Sequence, residues 1–367
     1  MKVAFDNEIF INQKFGGISR YFTNLILNFN EESNIIKIIC PYNTNKYLQD
    51  FDQTYFFGKK TEIRSINFFK KYFNKELLKK RLNKYQPDII HETFFKNDLF
   101  KTKKAKIIVT IHDLIHEIIP SEKYPYKTKI PKIYAETYKR ADHFICVSKN
   151  TKRDLQNIHG IPDNKITVIY HGIDHYVPKK NTDTNIRLKK IKPYILFVGW
   201  RGWYKNFENY IKSISINKNI YKQFNLVFFG GGSFSKKENE IINNSNIKES
   251  NIFHFQGNDD LLSYAYQNAY LFVYPSKYEG FGFPPLEALA NNCPVVTSNN
   301  SSMPEILDNS ALFFDPYSFE DMSYKIDELI NNDDLRSKLL INGSKRLEFF
   351  KWKKTSKNTL NLYKSLI

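Results

Sequence analysis

Short apolar runs with little polar alternation recur along the whole chain, separated by segments whose apolar positions return every three or four residues. In the first half the runs are residues 3–5, 35–40, 88–91, 107–112, 144–148 and 166–171. In the second half they are residues 194–199, 226–230, 252–256, 271–274, 294–298 and 311–314. Helical patterns lie between most of them, over residues 19–29, 149–158, 207–216 and 261–268 among others. An uninterrupted apolar run predicts a strand buried on both faces, and strands alternating with helices predict parallel sheets covered on both sides. The fold class is therefore α/β.

The pattern lapses near mid-chain. Residues 177–193 are polar, flanked by Pro178 and Pro193, and carry no clear period. Such a stretch marks a domain boundary. The reading is a first α/β domain over residues 1–178, a linker over 179–192 and a second α/β domain over 193–350. A length of 367 residues suits two ordinary α/β domains, and a hydrophobic fraction of 41% can fill two cores. No repeat of solenoid or propeller period is present.

Charge adds a bias. The formal net charge is +17; residues 1–180 hold 32 Lys+Arg against 19 Asp+Glu (+13), and residues 181–367 hold 23 against 19 (+4). A basic first half favours an anionic membrane, a polyphosphate ligand or nucleic acid. Within it, residues 66–82 mix aromatics and aliphatics with Lys70, Lys71, Lys75, Lys79, Lys80 and Arg81. As a helix this segment suits an anionic membrane surface or a lipid-linked phosphate, or else packs its apolar stripe on the sheet. Cys40, Cys146 and Cys293 are scattered in or beside apolar runs and read as small core residues. No secretory signal opens the sequence and no apolar run nears the ~20 residues of a membrane span, so a cytoplasmic protein is expected, with attachment to the inner face of the membrane left open.

The candidate chemistry gathers where strands end. After the 271–274 run comes Pro275-Ser-Lys-Tyr-Glu279-Gly-Phe-Gly-Phe-Pro-Pro-Leu-Glu287. Glu279 falls in a glycine-containing loop, and Glu287 is placed in the first turn of the helix that Pro284 and Pro285 open. Gly280 and Gly282 let backbone amides approach a ligand. The loop after the 194–199 run carries Arg201 and Lys205, a fork and a point charge suited to phosphate oxygens. Gly16 and Gly17 precede a helix whose first amides suit an anion. His112 and Asp113 end the 107–112 run. The one Asp-x-Asp, Asp50-Phe-Asp52, stands in a polar stretch, and no metal is expected.

Taken in order, Gly16-Gly17-Ile-Ser-Arg20-Tyr21, His112-Asp113, Phe197-Val-Gly199-Trp-Arg201-Gly-Trp-Tyr204-Lys205-Asn206, the Glu279–Glu287 segment with its continuation to Pro304-Glu305, and Phe350-Lys-Trp352 resemble glycosyltransferase family four over nearly the full length. The resemblance implies a GT-B fold, two Rossmann-like domains facing across a cleft, with residues 351–367 crossing back onto the first domain. It implies a retaining, metal-independent hexosyltransferase without a cofactor, using a nucleotide sugar (a GDP-sugar before a UDP-sugar, mannose before other hexoses). The acceptor would be a lipopolysaccharide, capsule or lipid-linked glycan precursor.

The resemblance also implies roles. Arg201 and Lys205 would offset the departing diphosphate, with Gly16 and Gly17 meeting it from the first domain as the cleft closes. His112 would contact a sugar hydroxyl. Glu279 and the backbone of Gly280, Phe281, Gly282 and Phe283 would hold the sugar at the reacting centre, and Glu287 would accept from the ribose. Glu279 is not read as a nucleophile. His91 is a candidate for shaping the acceptor side, and His171 is placed near the hinge. Three other readings stand beside this one. A sugar-nucleotide epimerase of the same fold would need no acceptor. A basic nucleic-acid-binding protein lacks any helix-turn-helix, zinc-finger or RNA-recognition signature. A dinucleotide oxidoreductase is opposed by Pro285 at its third glycine position.

Overall fold

A computed structural model describes residues 1–29, 35–48, 51–52, 55–60, 68–96, 104–119, 130–174 and 186–367. The chain divides into two compact units, Met1–Gly172 with Trp352–Ile367, and Ile173–Lys351. Residues 179–185, half of the stretch read as a linker, lie outside the described residues. Its end forms a short helix, Ile186–Lys189.

The first unit is built on a seven-stranded sheet: β1 (Lys2–Phe5), β2 (Ile35–Asn43), β3 (Phe56–Lys60), β4 (Ile89–Glu92), β5 (Lys106–Ile111), β6 (His143–Cys146) and β7 (Ile166–Val168). Its order is β3-β2-β1-β4-β5-β6-β7, and every pairing is parallel. Strands β4 and β6 are buried at every position, as runs without alternation require. The first strand therefore sits where the winding reverses, between β2 and β4, the place where sheets of this kind receive ligands beyond their carboxyl ends.

Strand β3 is absent from the pattern-based reading. It is short, lies at the sheet's edge, and has Gly58 at its centre. A Cβ there would stand 1.8 Å from the Cys40 carbonyl oxygen, so close approach to β2 requires the very residue that weakens a strand signal. The helix Phe68–Tyr85 does form, from within the basic segment, and leaves Tyr72 and Phe73 more than half exposed.

The last helix, Trp352–Leu366, belongs to the first unit's core. Trp352 is 1% exposed and Tyr363 0%. Tyr363 explains His91. Rather than facing an acceptor, His91 lies wholly buried in β4, its Nδ1 2.5 Å from the Tyr363 hydroxyl and its Nε2 2.7 Å from Thr110 Oγ1. Both ring nitrogens are used to join two strands to the final helix. Burial lowers its pKa from 6.5 to about 3. Between those values the unfolded chain binds a proton that the folded one refuses, so stability is full above pH 6.5 and falls with pH. His91 alone should cost about 2 kcal/mol by pH 5. Amide exchange of β4 at pH 7 and 5, in the native chain and in His91→Gln, checks this; the acid loss should shrink in the variant.

The second unit holds a six-stranded sheet: β8 (Tyr194–Val198), β9 (Asn225–Phe229), β10 (Ile252–Phe255), β11 (Leu271–Tyr274), β12 (Val295–Ser298) and β13 (Leu312–Phe314). The order is β10-β9-β8-β11-β12-β13, again parallel throughout, with β8, β11 and β12 buried at every position. The winding reverses at β8, between β9 and β11. Cys40, Cys146 and Cys293 are buried free thiols. Among the described residues no helix is long and apolar enough to cross a membrane.

Candidate functional site

Beyond β8 the chain turns sharply. Gly199 takes φ +108°, and a single 3-10 turn, Trp203–Lys205, leads through Asn206 at φ +61° into the helix Phe207–Ser215. Asn206 holds this tight entry by donating from Nδ2 to the Pro316 carbonyl at 2.7 Å. Lys205 is thereby swung over the end of β11. Its ammonium donates to Glu279 Oε1 at 2.6 Å and to the Tyr274 hydroxyl at 2.9 Å. The two charged side chains are 12% and 13% exposed, so solvent weakens their attraction little. Tyr274 stays protonated, its pKa raised well above 10 by burial and then by the Glu279 charge.

The Glu279 loop is strapped to the loop after β12. The Glu279 amide donates to Ser301 Oγ at 2.9 Å, and Ser302 Oγ donates to the carbonyls of Glu279 and Phe281 at 2.9 and 3.2 Å. Asn300 Nδ2 donates to the Lys277 carbonyl at 2.9 Å, and the Lys277 amide to the Tyr204 carbonyl at 2.7 Å. Three loops, from β8, β11 and β12, are thus tied into one platform at the point where the winding reverses. The Ser298–Ser302 run has no task in the reading of the sequence, although hydroxyls and side-chain amides at the end of a buried strand are a signal for one.

Gly282 has φ +94° and caps the helix Phe283–Ala290. Because that helix starts at Phe283, Glu287 falls in its second turn and not in the first, where the sequence pattern places it. Glu287 is 7% exposed and accepts from the Tyr266 hydroxyl at 3.4 Å. Phe281 is buried, its ring 5.4 Å from Phe283 and 5.7 Å from Phe350, so only its backbone is offered to a ligand.

Arg201 is not beside Lys205's partners. It is 2% exposed, and its guanidinium donates to Glu238 Oε1 at 2.9 Å and to the carbonyls of Gly230, Gly232 and Ser233 at 3.0, 2.7 and 3.0 Å. These bonds use four of its five N–H groups, so a two-point grip on phosphate would require at least one of them to break.

In the first unit, Gly16 forms the N-cap of the helix Gly17–Leu27, and a Cβ on Gly17 would meet nothing within 4 Å. Gln13 Oε1 accepts from the Ser19 amide at 3.2 Å. His112 follows β5 and packs edge-on against Tyr21 at 5.1 Å and parallel to His171 at 5.6 Å. Its Nε2 is covered and has no partner among the described residues. Burial lowers its pKa to about 3, so the ring is neutral at ordinary pH. Among the described residues no group of three His, Cys, Asp or Glu is placed to hold a metal ion.

Comparison with known proteins fits this layout. The family model described as Glycosyltransferase Family 4 matches residues 15–176, and that described as Glycosyl transferases group 1 matches residues 178–346. The O-antigen chain mannosyltransferase RfbU of Salmonella typhimurium is 30% identical over 235 residues, 59% of this chain and 63% of its own length. The match thus spans less than two thirds of that relative. A sucrose-phosphate synthase from Thermosynechococcus elongatus superposes with a TM-score of 0.77 at 17% identity, covering 100% of this chain and 99% of that one. Anabaena HepE, solved with UDP and glucose, gives 0.75 at 14% identity with both chains fully covered, 100% and 100%. The two parallel α/β units are those of the GT-B fold. With a family model on each half in the expected order, the chain belongs to glycosyltransferase family four, the glycosyl transferases of group 1.

Proposed function

We propose that the protein is a retaining hexosyltransferase that moves mannose from GDP-mannose to a lipid-linked or surface-glycan precursor. The observation that carries this reading is the Lys205–Glu279 pair, 2.6 Å apart where the second sheet reverses its winding. Breaking an anomeric C–O bond leaves negative charge on the diphosphate and positive character on the sugar. A cation and a carboxylate side by side complement both. Lys205 faces the departing phosphate oxygens; Glu279 accepts from vicinal sugar hydroxyls. The Glu279–Phe283 backbone, strapped by Ser301 and Ser302, holds the ring in place. Glu287 is assigned to the ribose. Gly16, Gly17 and His112, a buried neutral ring with an unpartnered Nε2, keep in this proposal the roles that family resemblance gives them toward phosphate and sugar.

Mannose rests on the relative's name; GDP as its carrier is the expectation from the family resemblance of the sequence. The acceptor reading draws on the Phe68–Tyr85 helix, whose exposed Tyr72 and Phe73 sit among Lys75, Lys79, Lys80 and Lys84 and suit attachment to an anionic membrane that presents a lipid-linked acceptor. Thermal unfolding with GDP-, UDP- and dTDP-sugars tests the donor. At 100 times its dissociation constant GDP-mannose should stabilise by about 2.7 kcal/mol. No stabilisation by any nucleotide sugar, together with no transfer to polyprenyl-diphosphate glycans, would overturn the proposal.

A further inference from the structure

The strand next to β8 ends in a turn that the proposed reaction leaves without a task. Gly230, Gly231 and Gly232 follow β9 with φ of +81°, +72° and +74°. Three successive left-handed residues admit little but glycine. The turn presses on the one that carries Lys205: a Cβ on Gly231 would stand 2.5 Å from the Gly199 carbonyl oxygen and 3.1 Å from Trp200 Cα. Such a turn needs something to gather its carbonyls, and Arg201 does so. Three of those carbonyls, from Gly230, Gly232 and Ser233, accept from one guanidinium. His254 Nε2 adds a contact to Gly230 O at 2.9 Å. The Arg201 charge is balanced by Glu238, whose other oxygen accepts from the Ser235 amide at 2.6 Å and closes a capping box on the helix Lys236–Asn243. Phe234 lies 4.5 Å beneath the guanidinium. Only a planar fork can meet a carboxylate and three carbonyls at once.

We propose that Arg201 is a positioning residue and not a phosphate ligand: with Glu238 it locks the Gly230–Ser233 turn against the Gly199–Trp203 turn, and so sets where Lys205 meets the diphosphate. This rests on the donor reading above and deepens it, since it makes the glycine turn a wall of the diphosphate site. The prediction has an unusual sign. Glu238→Gln removes a negative charge near an anion, which by Coulomb attraction alone would tighten diphosphate binding. As part of the lock it should instead loosen it.

The test measures GDP and GMP affinity by calorimetry in the native protein, Arg201→Lys, Glu238→Gln and Gly231→Ala, with kcat for transfer. Gly231→Ala keeps every charge and disturbs only the turn. All three variants should lose at least about tenfold of the preference for GDP over GMP and lose kcat in parallel, while KM for the acceptor holds. Native-like preference in Glu238→Gln and Gly231→Ala, with loss confined to Arg201→Lys, would make Arg201 a direct ligand and sink the inference. Tighter GDP binding in Glu238→Gln would do the same. Should Glu238→Gln fail to fold, Gly231→Ala decides alone. If the native protein itself does not bind GDP, the donor reading fails instead.

Discussion

Lys205→Ala is expected to lower kcat/KM for sugar transfer by about 10²–10³-fold, with most of the loss in kcat. Two effects combine. The departing diphosphate loses the one described ammonium held at the winding reversal by both a carboxylate and a phenol. Glu279, 13% exposed, loses its cation and is left facing Tyr274 with its charge unbalanced. Lys205→Arg should recover little, because a planar fork cannot occupy the place of a compact ammonium between Tyr274 and Glu279. Glu279→Gln should also cut the rate, and the double variant should be worse than either by less than the sum, with a coupling of about 0.5–3 kcal/mol. Initial rates with GDP-mannose and a lipid-linked acceptor measure all four. A loss below tenfold in Lys205→Ala, or strict additivity with Glu279→Gln, would mean that the pair serves the fold and not the chemistry.

Which of these contacts a reader of the bare sequence can reach follows from their range. The strands of both sheets are legible because burial on two faces leaves runs such as Tyr194–Val198 and Leu271–Tyr274 without a polar position. The loops that follow them are legible for the same reason, so Lys205 and Glu279 can be placed at strand ends. That they touch is not legible, since it depends on the Asn206 turn and on β8 lying beside β11, 69 and more residues away along the chain. The contacts of Arg201 are hidden for a related cause: a cation after a strand reads as a phosphate ligand, and nothing local in the sequence points to its bonds with Gly230, Gly232, Ser233 and Glu238, which come 29 to 37 residues later. His91 closes an apolar run of the sequence just as His112 does, yet Tyr363, 272 residues on, draws it into the core. Edge strand β3 escapes because the close approach of Gly58 to Cys40 replaces a hydrophobic pattern with a steric one.

Trp352→Ala is the substitution with the largest expected effect on stability, about 3–5 kcal/mol. The indole is 1% exposed and packs on Tyr21 at 5.7 Å and His171 at 6.4 Å. It cannot be replaced by collapse of the surroundings, because its backbone is already in contact across the unit. A Cβ on Gly172 would lie 2.3 Å from Trp352 N and 2.6 Å from its Cα. Emptying the pocket also loosens the start of the helix that carries Tyr363 to His91 and Ser356 to the Asn28 carbonyl. The loss should therefore reach the sheet. Hydrogen exchange of the β1 and β4 amides should report the full 3–5 kcal/mol, about the same in each strand, while β8 and β11 of the other unit keep their protection. Gly172→Ala should reproduce the effect from the other side of the contact, by pushing the helix off without removing any apolar atom. Fraying confined to the last helix, with β1 and β4 unchanged, would show that Trp352 anchors only its own segment and that the first unit's core stands without it.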